Sequence, residues 1–142
     1  MKVLFDTNVV LDVLLDRKPH VDASLALMTQ VEQKKIKGYL CANSVTTLDY
    51  LITKTLNRTQ AKHTIKNLLS LFSIAPVNES TLRIALDLDF SDFEDAVLYQ
   101  SAVDAGINAI VTRNGRDFKK AKLPIYSPQE LLSLNRVVLC KS

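Results

Sequence analysis

Histidine, cysteine and glycine are scarce in this 142-residue chain, with two, two and three residues respectively. His20 and His63 belong to no HExxH or other metal-ligand spacing, which argues against a histidine-based metal centre and favours a solvated or capping role for each. Cys41 and Cys140 lie far apart and form no CxxC, so they read as reduced thiols of a cytosolic protein. The chain offers no Gly-rich phosphate loop and no convincing Ser-His-Asp set. No apolar run approaches the ~18 residues of a membrane span, and the N-terminus lacks a signal-peptide pattern. A soluble, cytoplasmic protein is therefore expected, with no membrane partner.

What is present points to a packed domain. Hydrophobic residues make up 47% of the chain, too many for a disordered segment. The length suits one domain with a real core, placed at residues 1–134, followed by a short tail, residues 135–142. The net charge of +3 is a weak pointer to an anionic partner by itself. If several acids converge on one pocket, however, the remaining surface is more basic than the total suggests. Such a surface attracts a polyanion while the pocket holds a cation.

The opening MKVLFDTN organises the rest. Val3, Leu4 and Phe5 form an unbroken apolar run, as in a strand covered on both faces. Asp6 follows at its end, where open α/β sheets place their ligand sites. Asp6 also fits as the cap of a helix carrying Leu11, Leu14 and Leu15. Helices are expected over residues 9–15 and 21–36, with a strand over 39–42. Asn43 or Ser44 should cap the next helix, and another should span residues 59–72. A strand at residues 74–77 then leads to a helix capped by Asn78. Ser91 and Glu94 fit a capping box for a helix ending at Gly106, followed by an apolar strand at 107–112. A turn at 113–116, a last strand at 124–126 and a second capping box, Ser127 with Glu130, complete the pattern. The alternation predicts a three-layer α/β/α domain around a mostly parallel, Rossmann-like sheet. Val137, Val138 and Leu139 in the tail suit an added edge strand or a partner contact.

Four acids stand where such a fold would gather them. Asp6 and Asp117 follow strands on the carboxyl side, Asp95 lies in the first turn of its helix, and Asp49 lies near the start of another. Asp92, three residues before Asp95, shares its face. Clustered carboxylates repel and raise one another's pKa unless a cation lies between them. A hard divalent ion with oxygen ligands resolves that repulsion and can activate water against a phosphodiester. Each acid also has a plainer role available: Asp92 and Asp95 as first-turn acids, Asp49 as a solvated helix residue, Asp117 as a turn cap.

The segments DTNVVLDVLL, DFEDAVLYQSA and VTRNGRDF, in that order and spacing, resemble the PIN-domain nucleases, particularly the small prokaryotic type that includes VapC-like toxins. The resemblance implies a Mg²⁺ or Mn²⁺ site of about four acids and endonucleolytic cleavage of RNA. It matches Asp6, Asp95 and Asp117 to three of those acids, with Thr7, Asn8, Thr112 and Asn114 in support. The family has glutamate where LDYLITK supplies Asp49, one methylene shorter. Asp92 is an additional acid, suited to a second ion or to holding Arg113. Arg113, Arg116, Lys119 and Lys120 flank Asp117 and are the expected contacts to the RNA backbone. A VapC-like protein would further have a small antitoxin as partner and would form a homodimer. The alternative is a catalytically degenerate PIN-like module that binds RNA or protein, suggested by the shortened acid at Asp49. A dehalogenase-like phosphatase is disfavoured because Asn8 stands where that chemistry wants a second aspartate.

Overall fold

The first strand, β1 (Lys2–Phe5), is the centre of the sheet, and its Val3, Leu4 and Phe5 are fully buried. The structure is a computed structural model that describes the backbone of residues 1–141 and the side chains of residues 1–135. Four more strands, β2 (Lys37–Cys41), β3 (Ser73–Ala75), β4 (Ala109–Val111) and β5 (Ile125–Tyr126), join β1 in the order β3-β2-β1-β4-β5. Every pairing is parallel, with Val3 and Phe5 opposite Ala109 and Val111. Parallel strands require crossovers, and six helices supply those between β1 and β4: α1 (Thr7–Leu14), α2 (Val21–Glu32), α3 (Ala42–Thr55), α4 (Arg58–Leu71), α5 (Glu79–Leu86) and α6 (Phe93–Asp104); a 3₁₀ turn joins β4 to β5, and α7 (Pro128–Lys141) follows the last strand.

The two faces of β1 belong to two separate cores, which is the period-2 alternation of a strand made visible. Val3 and Phe5 pack with Leu27, Leu40, Leu48, Leu68 and Leu131, under α1 to α4 and α7. Leu4 packs on the other side with Tyr99, Ala102, Ile110 and Phe118, under α6. This is the expected three-layer α/β/α arrangement. Gly38 permits the tight approach of α4's end: a Cβ there would lie 2.8 Å from the Phe72 ring, which itself stacks edge-on against Phe5.

Several boundaries differ from those expected. The helix after β2 begins at Ala42 with Cys41 at its cap, so neither Asn43 nor Ser44 caps it. The cap of α6 is Asp92 rather than Ser91, because the Asp92 carboxylate accepts hydrogen bonds from both Glu94 N–H (2.8 Å) and Asp95 N–H (3.2 Å). A charged acceptor at the cap satisfies two orphan donors at once. Asn57 and Asn78 cap α4 and α5, and Ser127 with Glu130 forms the expected box at α7. The backbone of α7 runs on to Lys141, so the tail does not add an edge strand. Propagating an established helix costs little, and α7 is anchored by buried Leu131 and by Asn135 Nδ2, which donates to Gln30 Oε1 at 2.8 Å. A partner contact through residues 136–142 would involve side chains outside those described. Cys41 is a buried free thiol, while the Cys140 side chain lies outside the described set. No helix among the described residues is long and apolar enough to cross a membrane.

Candidate active site at the carboxyl ends of the central strands

The strand order changes direction between β1 and β4: from β1 the chain moves to β2 on one side, and later to β4 on the other. The loops that leave two such strands diverge to opposite faces and open a crevice, the usual ligand position in a parallel sheet. Asp6 leaves β1 there and residues 112–118 leave β4.

Asp6 is only 8% exposed and has its hydrogen-bonding capacity well used. One carboxylate oxygen accepts the Thr7 backbone N–H at 2.8 Å, which caps α1. The other accepts the Thr112 hydroxyl at 2.7 Å, and Asn8 Nδ2 lies 3.4 Å from it. The capping role and the site role are thus compatible, since different oxygens serve them. Burial pushes the Asp6 carboxyl above its ordinary value, against the lowering effect of Thr112 and of the Thr7 N–H. Asp117 pushes it further up, and Arg113 draws it down.

Asp95 sits in the first turn of α6, where the helix terminus favours an anion. Its pKa is nevertheless raised to about 7, first by burial and then by the charges of Asp6, Asp92, Asp117 and Glu94. Carboxylates that shift one another must share a neighbourhood. The charges of Asp6, Asp92, Asp117 and Glu94 act on Asp95, which puts the start of α6 within electrostatic reach of the end of β1 and of the loop after β4. Asp117 is carried by a 3₁₀ turn, Gly115–Phe118, and is held in the loop by its N–H donating to the Asn114 carbonyl at 3.0 Å. An open cleft of about 290 Å³ runs along Arg113, Asn114, Gly115, Arg116 and Asp117.

As they stand, no group of three or more His, Cys, Asp or Glu side chains among the described residues is set to hold an ion. That is consistent with uncompensated carboxylates keeping their distance. The donor set itself suits a hard divalent cation: only oxygens, carried by three segments, with two acids whose charge burial and repulsion resist.

Five expected site residues are placed elsewhere or engaged otherwise. Asp49 turns toward α4, where Arg58 Nη1 lies 2.6 and 2.7 Å from its two oxygens, and it is not among the charges that raise Asp6 or Asp95. The short side chain and a guanidinium directly across the α3–α4 groove explain its direction. Arg113 is not a free contact for a nucleic acid: it is ion-paired to Asp12, its Nε 2.6 Å from Asp12 Oδ2. Asp92 does not hold Arg113 either: its Oδ1 caps α6, and the Arg113 guanidinium is paired to Asp12. Lys120 makes an exposed ion pair with Asp89 at 3.4 Å, while Arg116 and Lys119 are exposed and unpaired among the described residues. Asn114 acts through its backbone, its N–H donating to the Thr112 hydroxyl at 3.1 Å.

Asp12 is the residue that sequence reasoning passed over. Its signal was available: it is the lone charge within VVLDVLL, an otherwise apolar run, and a charge kept in such a run needs a buried partner.

Comparison with known proteins agrees with this fold. Ribonuclease VapC1 of Aquifex aeolicus is 23% identical over 134 residues, covering 91% of this chain and 92% of the relative. FitAcB from Neisseria gonorrhoeae superposes with a TM-score of 0.68 at 21% identity, over 89% of this chain and 98% of its own. VapBC2 from Rickettsia felis, solved bound to a DNA fragment of its promoter, superposes with a TM-score of 0.65 at 18% identity, over 89% and 98%. At such identities the superpositions speak for the fold. The family profile described as PIN domain matches residues 2–116, from β1 to the turn just before Asp117. By that match over most of its length, the chain belongs to the PIN domain family.

Proposed function

We propose that this protein is a divalent-metal-dependent endoribonuclease of the VapC-like type. The reading is supported by buried Asp6 at the end of β1, bound by Thr112, and by Asp95, whose carboxyl is raised to about 7 by burial and by the charges of Asp6, Asp92, Asp117 and Glu94. A nuclease named VapC1 among the relatives supports the reaction class.

In this reading Asp6, Asp95 and Asp117 hold Mg²⁺ or Mn²⁺, with Asp92 at the edge of the set. The bound ion supplies an activated water and offsets charge on the leaving oxygen of the phosphodiester. The protein's own part is orientation. Thr112 and the Thr7 N–H fix both oxygens of Asp6, and the start of α6 fixes Asp95. Arg116 and Lys119, exposed beside the cleft, contact backbone phosphates and add affinity without reading sequence. Asp49 stands outside the ligand set. An antitoxin partner is supported by structural relatives described as toxin–antitoxin complexes, such as one from Klebsiella pneumoniae at a TM-score of 0.65.

Cleavage of a single-stranded RNA with Mg²⁺ or Mn²⁺, against EDTA and the Asp6→Asn/Asp95→Asn double variant, tests the proposal. Metal-dependent cleavage by the wild type alone is expected, leaving 5′-phosphate and 3′-hydroxyl ends. Equal cleavage by wild type and variant would mark a contaminant and end the assignment. The degenerate-module reading draws on Asp49, which is committed to Arg58. Calorimetry with Mn²⁺ separates the two, since a module without a working site shows no uptake that depends on Asp6.

A further inference from the structure

Asp12 lies in the second turn of α1 with 0% exposure, beside buried Val9, Val10 and Leu11. A lone carboxylate in that position would cost several kcal/mol. Arg113 provides the partner from 101 residues away, its Nε 2.6 Å from Oδ2 and its Nη2 3.3 Å from Oδ1. Arg17 Nη1 adds a looser contact at 3.9 Å. A buried ion pair is a poor device for stability alone, because a well-packed apolar pair of similar volume often serves as well or better. Its presence calls for a geometric reason.

The reason lies on either side of Arg113 in the chain. Thr112, just before it, donates its hydroxyl to Asp6 at 2.7 Å. Asn114, just after it, gives its N–H to that same hydroxyl at 3.1 Å and its carbonyl to the N–H of Asp117 at 3.0 Å. The N–H of Arg113 itself points to Asn8 Oδ1 at 3.5 Å. Residue 113 is therefore the pin on which the segment joining Asp6 to Asp117 is mounted. Asp6 caps α1 and Asp12 lies in its second turn, so one eight-residue helix grips the segment after β4 at two points.

We propose that Asp12 and Arg113 are positioning residues that anchor the segment linking Asp6 to Asp117, on which cation binding depends, and that Arg113 makes no productive contact with the RNA. The inference rests on the metal-dependent nuclease reading above. Removing a partner that orients metal ligands typically costs about 10–100-fold in metal affinity or activity.

Two variants test it. Arg113→Lys keeps the charge and loses the fork, while Asp12→Leu/Arg113→Met replaces the pair with packed apolar groups and keeps the test usable if the single variant fails to fold. Mn²⁺ affinity is read by calorimetry, alongside kcat, KM and the salt dependence of KM on a single-stranded RNA oligonucleotide. For both variants the dissociation constant for Mn²⁺ is expected to rise about 10-fold or more, with kcat reduced and KM and its salt slope unchanged. A raised KM with a salt slope reduced by about one, at unaltered Mn²⁺ affinity, would make Arg113 a phosphate contact and overturn the proposal. A lowered melting temperature with both Mn²⁺ affinity and kcat intact would overturn it as well, leaving the pair a structural one. If wild type and Asp6→Asn take up Mn²⁺ alike, the nuclease reading itself falls, and the inference with it.

Discussion

Replacing Asp95 by asparagine should stabilise the metal-free protein, and the size of the effect follows from the site. The folded-state pKa of Asp95 is about 7 against an ordinary 3.8. Between those values the folded protein binds a proton more readily than the unfolded chain does. Its contribution therefore favours folding least at high pH: stability falls as pH rises from about 4 to 7 and levels off above. Fully expressed, the displacement would amount to roughly 4 kcal/mol. Asp95 is only half-buried, however, and solvent screening reduces the expected figure to ~1–2 kcal/mol. Asp6, also raised, adds to the slope with the same sign. In EDTA at pH 8, Asp95→Asn should melt roughly 3–8 °C above the wild type, and the gap should close toward pH 5. Adding Mn²⁺ should reverse the order, since the cation stabilises only a protein that binds it. Thermal melts from pH 5 to 8, with EDTA and with Mn²⁺, measure all of this. A variant less stable than the wild type at pH 8 in EDTA would refute the claim that uncompensated charge strains this crevice.

Thr112→Val removes the 2.7 Å donor to Asp6 while keeping the side chain's shape. Urea denaturation at pH 8 should show a loss of ~1–3 kcal/mol, and calorimetry should show weaker Mn²⁺ binding. Asp49→Ala breaks an exposed ion pair with Arg58, so stability should change by less than ~1 kcal/mol and cleavage by less than about twofold. Loss of activity comparable to that of Asp6→Asn would return Asp49 to the site. Gly38→Ala drives a Cβ to within 2.8 Å of the Phe72 ring and 3.0 Å of Val31; chemical denaturation should register a cost of ~1–3 kcal/mol.

Much of the fold was legible because burial on both faces leaves an uninterrupted apolar signature. Residues 3–5 announce β1, and the run 107–112 announces β4 together with its approaches. Caps were legible where a single polar side chain stood alone, as at Ser127 between Tyr126 and Pro128. They were misassigned where polar residues were adjacent, since Ser91 and Asp92 compete for one role and only geometry decides for Asp92. The tail was ambiguous for another reason. Val137, Val138 and Leu139 favour strand locally, whereas α7, already initiated at Pro128, carries the backbone on as helix. In the site, position after a strand or at a helix start pointed to Asp6, Asp95 and Asp117. Direction was not legible: Asp49 has the right place along the chain but faces Arg58, a residue nine positions away across a helical hairpin. The pairing of Arg113 was not legible because its partner, Asp12, lies 101 residues earlier in the chain.

The charge distribution ties the crevice to the remaining surface. With Asp6, Asp92, Glu94, Asp95 and Asp117 set aside, the rest of the chain carries about +8 rather than +3. A polyanion is drawn toward such a surface, yet it meets like charge at the crevice itself. The nearest guanidinium cannot relieve that repulsion fully, because Arg113 is largely neutralised by Asp12. Pairing Arg113 with a buried carboxylate thus leaves a mild positive influence on Asp6, and on the metal-dependent reading the crevice stays acidic enough to take up a cation. An arginine released into the crevice would compete with that cation for the same oxygens. On the proposed reading the clamp on Arg113 serves two ends: it holds the loop that carries Asp117, and it keeps the protein's own charge out of the place where an ion would bind.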